Sequence, residues 1–152
     1  MLDVGQTAPD LLLPDQHGRE RRLSELWAKG PVVLYFYPKD ETAGCTAEAC
    51  AFRDAYQSFS DAGAEVVGVS KDGVAEHASF ASHHRLPFVL LSDAKGVARQ
   101  RYEVKRTLGI IEGRVTYVID RQGIIRHAFD SQLRPTAHIG EALDVVKRLV
   151  AA

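Results

Sequence analysis

The run Val32-Val33-Leu34-Tyr35-Phe36-Tyr37 carries no charge and is fenced by Gly30-Pro31 on one side and Pro38 on the other. Its length suits a strand, and its unbroken apolar character suits one buried on both faces. Such a strand lies at the centre of a sheet, so the rest of the chain must supply helices for both faces. Helices are predicted over residues 23–28, 45–61, 74–84, 94–101 and 136–150. Further strands are predicted over 64–70, 88–91, 115–119 and 124–129, the last two joined by the turn Asp120-Arg121-Gln122-Gly123. Near the start, Leu11-Leu12-Leu13 and Arg21-Arg22-Leu23 flank the turn-rich residues 14–18 and read as a β-hairpin. The expected class is α/β, a mixed central sheet flanked by helices, with an N-terminal hairpin.

No repeat, low-complexity tract or linker divides the 152 residues, so a single domain over 1–152 is expected. With 45% hydrophobic and 26% charged residues the chain is globular in composition. Lys and Arg number 19 against 20 Asp and Glu, which leaves no basic excess for nucleic acid or an anionic membrane surface. The longest apolar run is far shorter than the roughly 20 residues that span a bilayer. The start, Met1-Leu2-Asp3-Val4-Gly5, lacks a signal-peptide pattern, and a cytoplasmic location is expected.

Two cysteines do not make a disulfide scaffold, but Cys45 and Cys50 lie close together. That spacing suggests redox chemistry, a metal site or coincidence. On a helix at about 100° per residue, Cys45, Ala49, Phe52, Tyr56 and Phe59 form one apolar stripe, while Cys50 lies about 140° away among Arg53, Asp54 and Gln57. Cys45 therefore points toward the sheet from the first turn. There, unsatisfied N–H groups and the positive end of the helix dipole favour a thiolate over a thiol. Residues five apart on a helix have Cα atoms about 8.7 Å apart, whereas a disulfide needs roughly 4.4–6.8 Å. The two cysteines can bond only if the first turn unwinds.

The segment Phe36-Tyr37-Pro38-Lys39-Asp40-Glu41-Thr42-Ala43-Gly44-Cys45-Thr46-Ala47-Glu48-Ala49-Cys50 resembles the active-site segment of peroxiredoxins. It matches their Pro-x-x-x-Thr-x-x-Cys motif through Pro38, Thr42 and Cys45. The second cysteine five residues on is the mark of the bacterioferritin comigratory protein, or peroxiredoxin Q, branch. Gly5, Ala8, Pro9 and Asp10 resemble the family's opening, and residues 114–120 resemble its later arginine strand.

The resemblance implies a thioredoxin-like fold and a thiol peroxidase acting on hydrogen peroxide and organic hydroperoxides. It implies that Cys45 is the peroxidatic cysteine and Cys50 the resolving one. Thr42 would hydrogen-bond the thiolate and the peroxide, Pro38 would shape and shield the loop, and Arg114 would hold the thiolate and polarise the peroxide oxygens. An external dithiol such as thioredoxin would reduce the disulfide. No metal, flavin or haem is required, and the branch implies a monomer. Three positions depart from its pattern: Ala43 where proline is frequent, Leu11 where an aromatic residue is common, and Glu103 where glycine is usual.

Other residues have plainer readings. Glu48 in the first turn suits the helix dipole as well as it suits a function. Trp27 is read as packing, and His83-His84 as a solvated helix end without a metal role. His17, His77, His127 and His138 are scattered. The rival functions are a thioredoxin-like disulfide reductase, which would want Cys-x-x-Cys, a metal-binding protein, which would need two further ligands beside the sulfurs, and a peroxide sensor using the same chemistry.

Overall fold

The computed structural model describes residues 1–106, 112–130 and 134–151. The chain runs β1 (Leu12–Pro14), β2 (Glu20–Arg22), α1 (Leu23–Trp27), β3 (Val32–Phe36), α2 (Ala43–Asp61), β4 (Glu65–Ser70) and α3 (Val74–His84). It continues with β5 (Val89–Ser92), α4 (Val97–Arg101), β6 (Val115–Ile119), β7 (Ile125–Asp130) and α5 (Ile139–Ala151). β1 and β2 form the expected antiparallel hairpin. The main sheet has the order β5-β4-β3-β6-β7. β3, β4 and β5 are parallel; β6 pairs antiparallel with β3, and β7 antiparallel with β6.

All five residues of β3 are buried, as a strand covered on both sides requires. Their side chains alternate between two cores. Val32, Leu34 and Phe36 face a layer that includes Leu23 and Leu26 of α1, Ala98 of α4, and Tyr102. Val33 and Tyr35 face the opposite layer, built from Cys45, Ala49, Phe52 and Phe59 of α2, Phe80 of α3, and Ala142, Val145 and Val146 of α5. Tyr35 stacks on Phe52 at a centroid distance of 4.6 Å. Gly68 in β4 makes room for it, since a Cβ there would come within 2.9 Å of the Tyr35 ring.

Several elements begin later or earlier than their sequence patterns suggest. α4 starts at Val97, because Asp93 accepts the amides of Ala98 and Arg99 at 3.0 and 3.1 Å and a turn closing on Gly96 comes first. α5 starts at Ile139, after a turn in which the Ala137 amide donates to the Arg134 carbonyl. α2 starts at Ala43, two residues before Cys45. No helix among the described residues is long and apolar enough to cross a membrane.

Candidate active site

β3 ends at Phe36, and Tyr37 prolongs its path by donating its amide to the Val69 carbonyl at 3.1 Å. Pro38 follows; without an N–H it cannot extend the ladder. The chain then turns through residues 38–41 to Thr42, which holds the N-cap position of α2 in an extended conformation. The Thr42 hydroxyl donates to the Lys39 carbonyl at 2.7 Å and so closes the loop on itself. The Thr46 amide donates to the Thr42 carbonyl at 2.8 Å as the first helical bond. Cys45 is therefore the third residue of the helix, among first-turn amides that have no intrahelical acceptor.

Cys45 is 1% exposed. It receives the Lys39 amide at 3.5 Å and Nη2 of Arg114 at 3.4 Å. Arg114 enters from the chain just ahead of β6 and is itself buried. Its Nη1 donates to Oε1 of Glu48 at 2.7 Å, so one guanidinium spans the sulfur and a carboxylate one helical turn apart. Burial alone would lower the Arg114 pKa, but the Glu48 carboxylate and the Cys45 sulfur outweigh it and raise the value. Gly44 permits this approach: a Cβ there would press on Nη2 of Arg114 at 3.2 Å and on Pro135 at 3.4 Å.

A second set of side chains braces the loop. Asp40 is buried and accepts the Tyr37 hydroxyl at 2.5 Å, while Nδ1 of His77 lies 2.6 Å from its other oxygen. Nε2 of His77 lies 2.9 Å from the Leu91 carbonyl, which can only accept, so that nitrogen carries a proton. The Asp40 amide donates to Asp72 at 2.8 Å, and Asp72 also accepts the Ser70 hydroxyl at 2.6 Å. Arg99 is buried beneath this layer and donates to two backbone carbonyls, those of Gly113, at 3.0 Å, and Tyr37. Burial lowers its pKa, opposed by Glu112 and Asp93 and by the nearby Cys45 and Tyr37.

Of the residues singled out in the sequence, Cys45 and Arg114 meet directly. Thr42 and Pro38 shape the loop beside them. Cys50 is half-buried on the same intact helix, and both cysteines are free thiols. Glu48, Asp40, His77 and Arg99 complete the setting without having been expected to. Glu48 had a legible signal, because it lies three residues after Cys45 beside an apolar stripe, where a carboxylate needs a cation. Asp40 and His77 are 37 positions apart, with no local pattern linking them.

A buried cysteine in the first turn of a helix, beneath an arginine and on a thioredoxin-type sheet, defines a thiol-dependent redox protein. The AhpC/TSA family model matches residues 4–128, and the chain belongs to that family, the peroxiredoxins, which are thiol-dependent peroxidases. Within the family it is of the peroxiredoxin Q, or bacterioferritin comigratory protein, branch. It is 47% identical over 146 residues to a peroxiredoxin Q of Triticum aestivum, covering 95% of this chain and 67% of that one. The crystal structure of peroxidoxin BcpB from Mycobacterium tuberculosis superposes with a TM-score of 0.90 at 41% identity, covering 98% of this chain and 99% of that one. The Xanthomonas campestris bacterioferritin comigratory protein gives 0.86 at 28% identity, over 97% and 99%. The expected cytoplasmic location does not stand. Plant relatives, the wheat protein among them, are named as chloroplastic and point to a plastid location instead.

Proposed function

We propose that this peroxiredoxin reduces hydrogen peroxide and organic hydroperoxides at Cys45 and resolves the product with Cys50. The observation that carries the reading is the Cys45 sulfur, buried in the first turn of α2 and bonded by Arg114, which Glu48 holds in place. The Cys45 thiolate attacks the outer oxygen of the peroxide and forms an S–O bond. The O–O bond breaks, its electron pair leaves with the alkoxide or hydroxide, and that group takes up a proton. Cys45 is left as a sulfenic acid. Arg114 and the free first-turn amides stabilise the charge moving onto the leaving oxygen. Thr42 and Pro38 hold the loop that seats the peroxide. The relative from Xanthomonas campestris is described for alkyl peroxide reduction, which supports the wider substrate range.

The Cys50 thiol then attacks the sulfenic sulfur, an S–S bond forms and water leaves. The two thiols are five positions apart on an intact helix, so this step requires the start of α2 to unwind. A dithiol such as thioredoxin reduces the disulfide by exchange. Intact mass of the pre-reduced protein after one equivalent of hydrogen peroxide tests the reading. The expected result is loss of two hydrogens, mapped to a Cys45–Cys50 bond and absent in Cys45→Ser. A stable gain of one oxygen at Cys45 would remove the resolving role of Cys50. No rapid change would overturn the peroxidase assignment for Cys45.

A further inference from the structure

Glu41, His83 and His84 form a cluster that the peroxidase chemistry does not use. His83 and His84 are the last two residues of α3, and the chain leaves that helix through Arg85 at a φ of 53°. Consecutive helical residues project about 100° apart and do not ordinarily share a side-chain partner. Here they do, through different ring nitrogens. Nδ1 of His83 lies 2.9 Å from one oxygen of Glu41 and Nε2 of His84 lies 2.7 Å from the other. One ligand atom from each of the three residues lies within 4.8 Å of the other two.

We propose that Glu41, His83 and His84 bind a divalent transition-metal ion of the zinc type. Two imidazoles and a carboxylate suit such an ion. Zinc bonds of about 2.0–2.1 Å place tetrahedral ligand atoms roughly 3.3 Å apart, and the three ligand atoms already lie within 4.8 Å of one another, so small side-chain rotations of Glu41 and His83 admit the ion. It takes the place of the proton between each ring and the carboxylate, and each ring then carries its proton on the nitrogen that faces away from the ion, any excess proton passing to solvent. The side chains of His83 and Glu41 are 66% and 45% exposed, which leaves room for water to complete the shell, while His84, at 17%, is anchored against Phe80. Among the described residues the other three-residue cluster of metal-ligand type, Asp40, Asp72 and His77, is a poorer candidate, because hydrogen bonds to Tyr37, Ser70 and Leu91 already engage its members.

The site ties the residue before the N-cap of α2 to the end of α3. An ion bound there holds the loop in the arrangement that keeps α2 wound. If the resolving step proposed above is right, the ion slows it, and the enzyme lingers as the sulfenic acid. Binding itself depends only on the three side chains, so the site and its effect are tested separately.

Zinc chloride is titrated calorimetrically into the Cys45→Ser/Cys50→Ser variant, so that the thiols take no part. One ion per chain is expected, at least tenfold weaker in the added backgrounds His83→Ala/His84→Ala and Glu41→Ala. No binding, or equal binding in both backgrounds, overturns the site. His127→Ala is the control, since His127 and His138 approach Glu141 at 3.6 and 3.5 Å elsewhere on the surface; a matching loss there would also overturn the assignment. With both cysteines present, zinc is expected to slow disulfide formation by the factor one plus its ratio to Kd, about 100-fold at a hundred times Kd. The His83→Ala/His84→Ala variant should escape that slowing. Equal slowing in that variant would put the effect on the cysteines and overturn the clamp. Absence of a disulfide without zinc would instead count against the resolving step, with the calorimetry untouched.

Discussion

At the scale of single residues, the site depends on one buried ion pair. Glu48 and Arg114 are both buried, their contact is 2.7 Å, and the same guanidinium reaches the Cys45 sulfur. Glu48→Gln keeps the shape but removes the charge that faces the guanidinium. We expect it to cost about 1.5–3 kcal/mol in urea unfolding at neutral pH and to lower the rate of peroxide reduction, because Arg114 is held less firmly without the charge. Unchanged stability would mean that the amide oxygen of the glutamine holds Arg114 as well as the carboxylate does. Glu103 offers an opposite case. Its φ of 52° puts a side chain in the left-handed region, which explains why glycine is usual at this position in the family it resembles. Glu103→Gly relieves a penalty of about 1–2 kcal/mol and gives part back as chain entropy. The expected net is a gain of about 0.5 kcal/mol, read as a small rise in Tm. Cys45 and Arg114 were legible in the sequence because a motif flanks the one and a recognisable strand follows the other. The partners of Asp40 were not, since His77 and Asp72 reach it only once β4 and α3 have packed.

At the scale of elements, α2 divides into two parts. Phe52 and Phe59 are fixed in the core beside Tyr35 and Phe88, whereas the first turns carry both cysteines. Ala43 is exposed and first in the helix, and Thr42 before it is extended. These are the conditions proline needs, because its missing N–H would have no intrahelical acceptor there and its neighbour already has a permitted conformation. Ala43→Pro is expected to raise stability by about 0.4–1 kcal/mol and to slow formation of the Cys45–Cys50 bond in a quenched-flow mass assay. Faster formation would contradict the idea that the first turn must unwind. The interior of this helix was legible from its stripe of apolar residues. Its start was not, because the cap is set by the extended backbone of Thr42 and by a hydroxyl that turns back to Lys39 instead of capping.

For the whole molecule, three aspartates hold turns together at separate places. Asp15 accepts the His17 and Arg19 amides in the hairpin, Asp120 the Gln122 and Ile124 amides between β6 and β7, and Asp10 the amide and hydroxyl of Ser24 at α1. Burial would raise their pKa values, but these hydrogen bonds and the neighbouring arginines lower all three below 3.8. The unfolded chain then binds more protons in acid, so their stabilisation is complete above about pH 4 and is lost as pH falls through the lowered values. The midpoint of urea unfolding should hold steady down to about pH 4.5 and then drop. Asp15→Asn should lower it at pH 7 and approach the parent protein at pH 2. A difference that persists undiminished at pH 2 would assign the loss to the hydrogen bonds alone. The general architecture was readable because β3 must be covered on both sides. The placement of β6 beside β3, running against the other strands, follows from a pairing between distant segments that no local pattern records.

Arg99 has a wider bearing than its position suggests. Its hydrogen bonds go to the carbonyls of Tyr37 and Gly113 and not to the sulfur. One lies at the root of the loop that carries Pro38 and Thr42, and the other lies next to Arg114. A survey that ranks variants by turnover alone would therefore count Arg99 among the groups that handle peroxide, when its task is to keep two stretches of backbone in register.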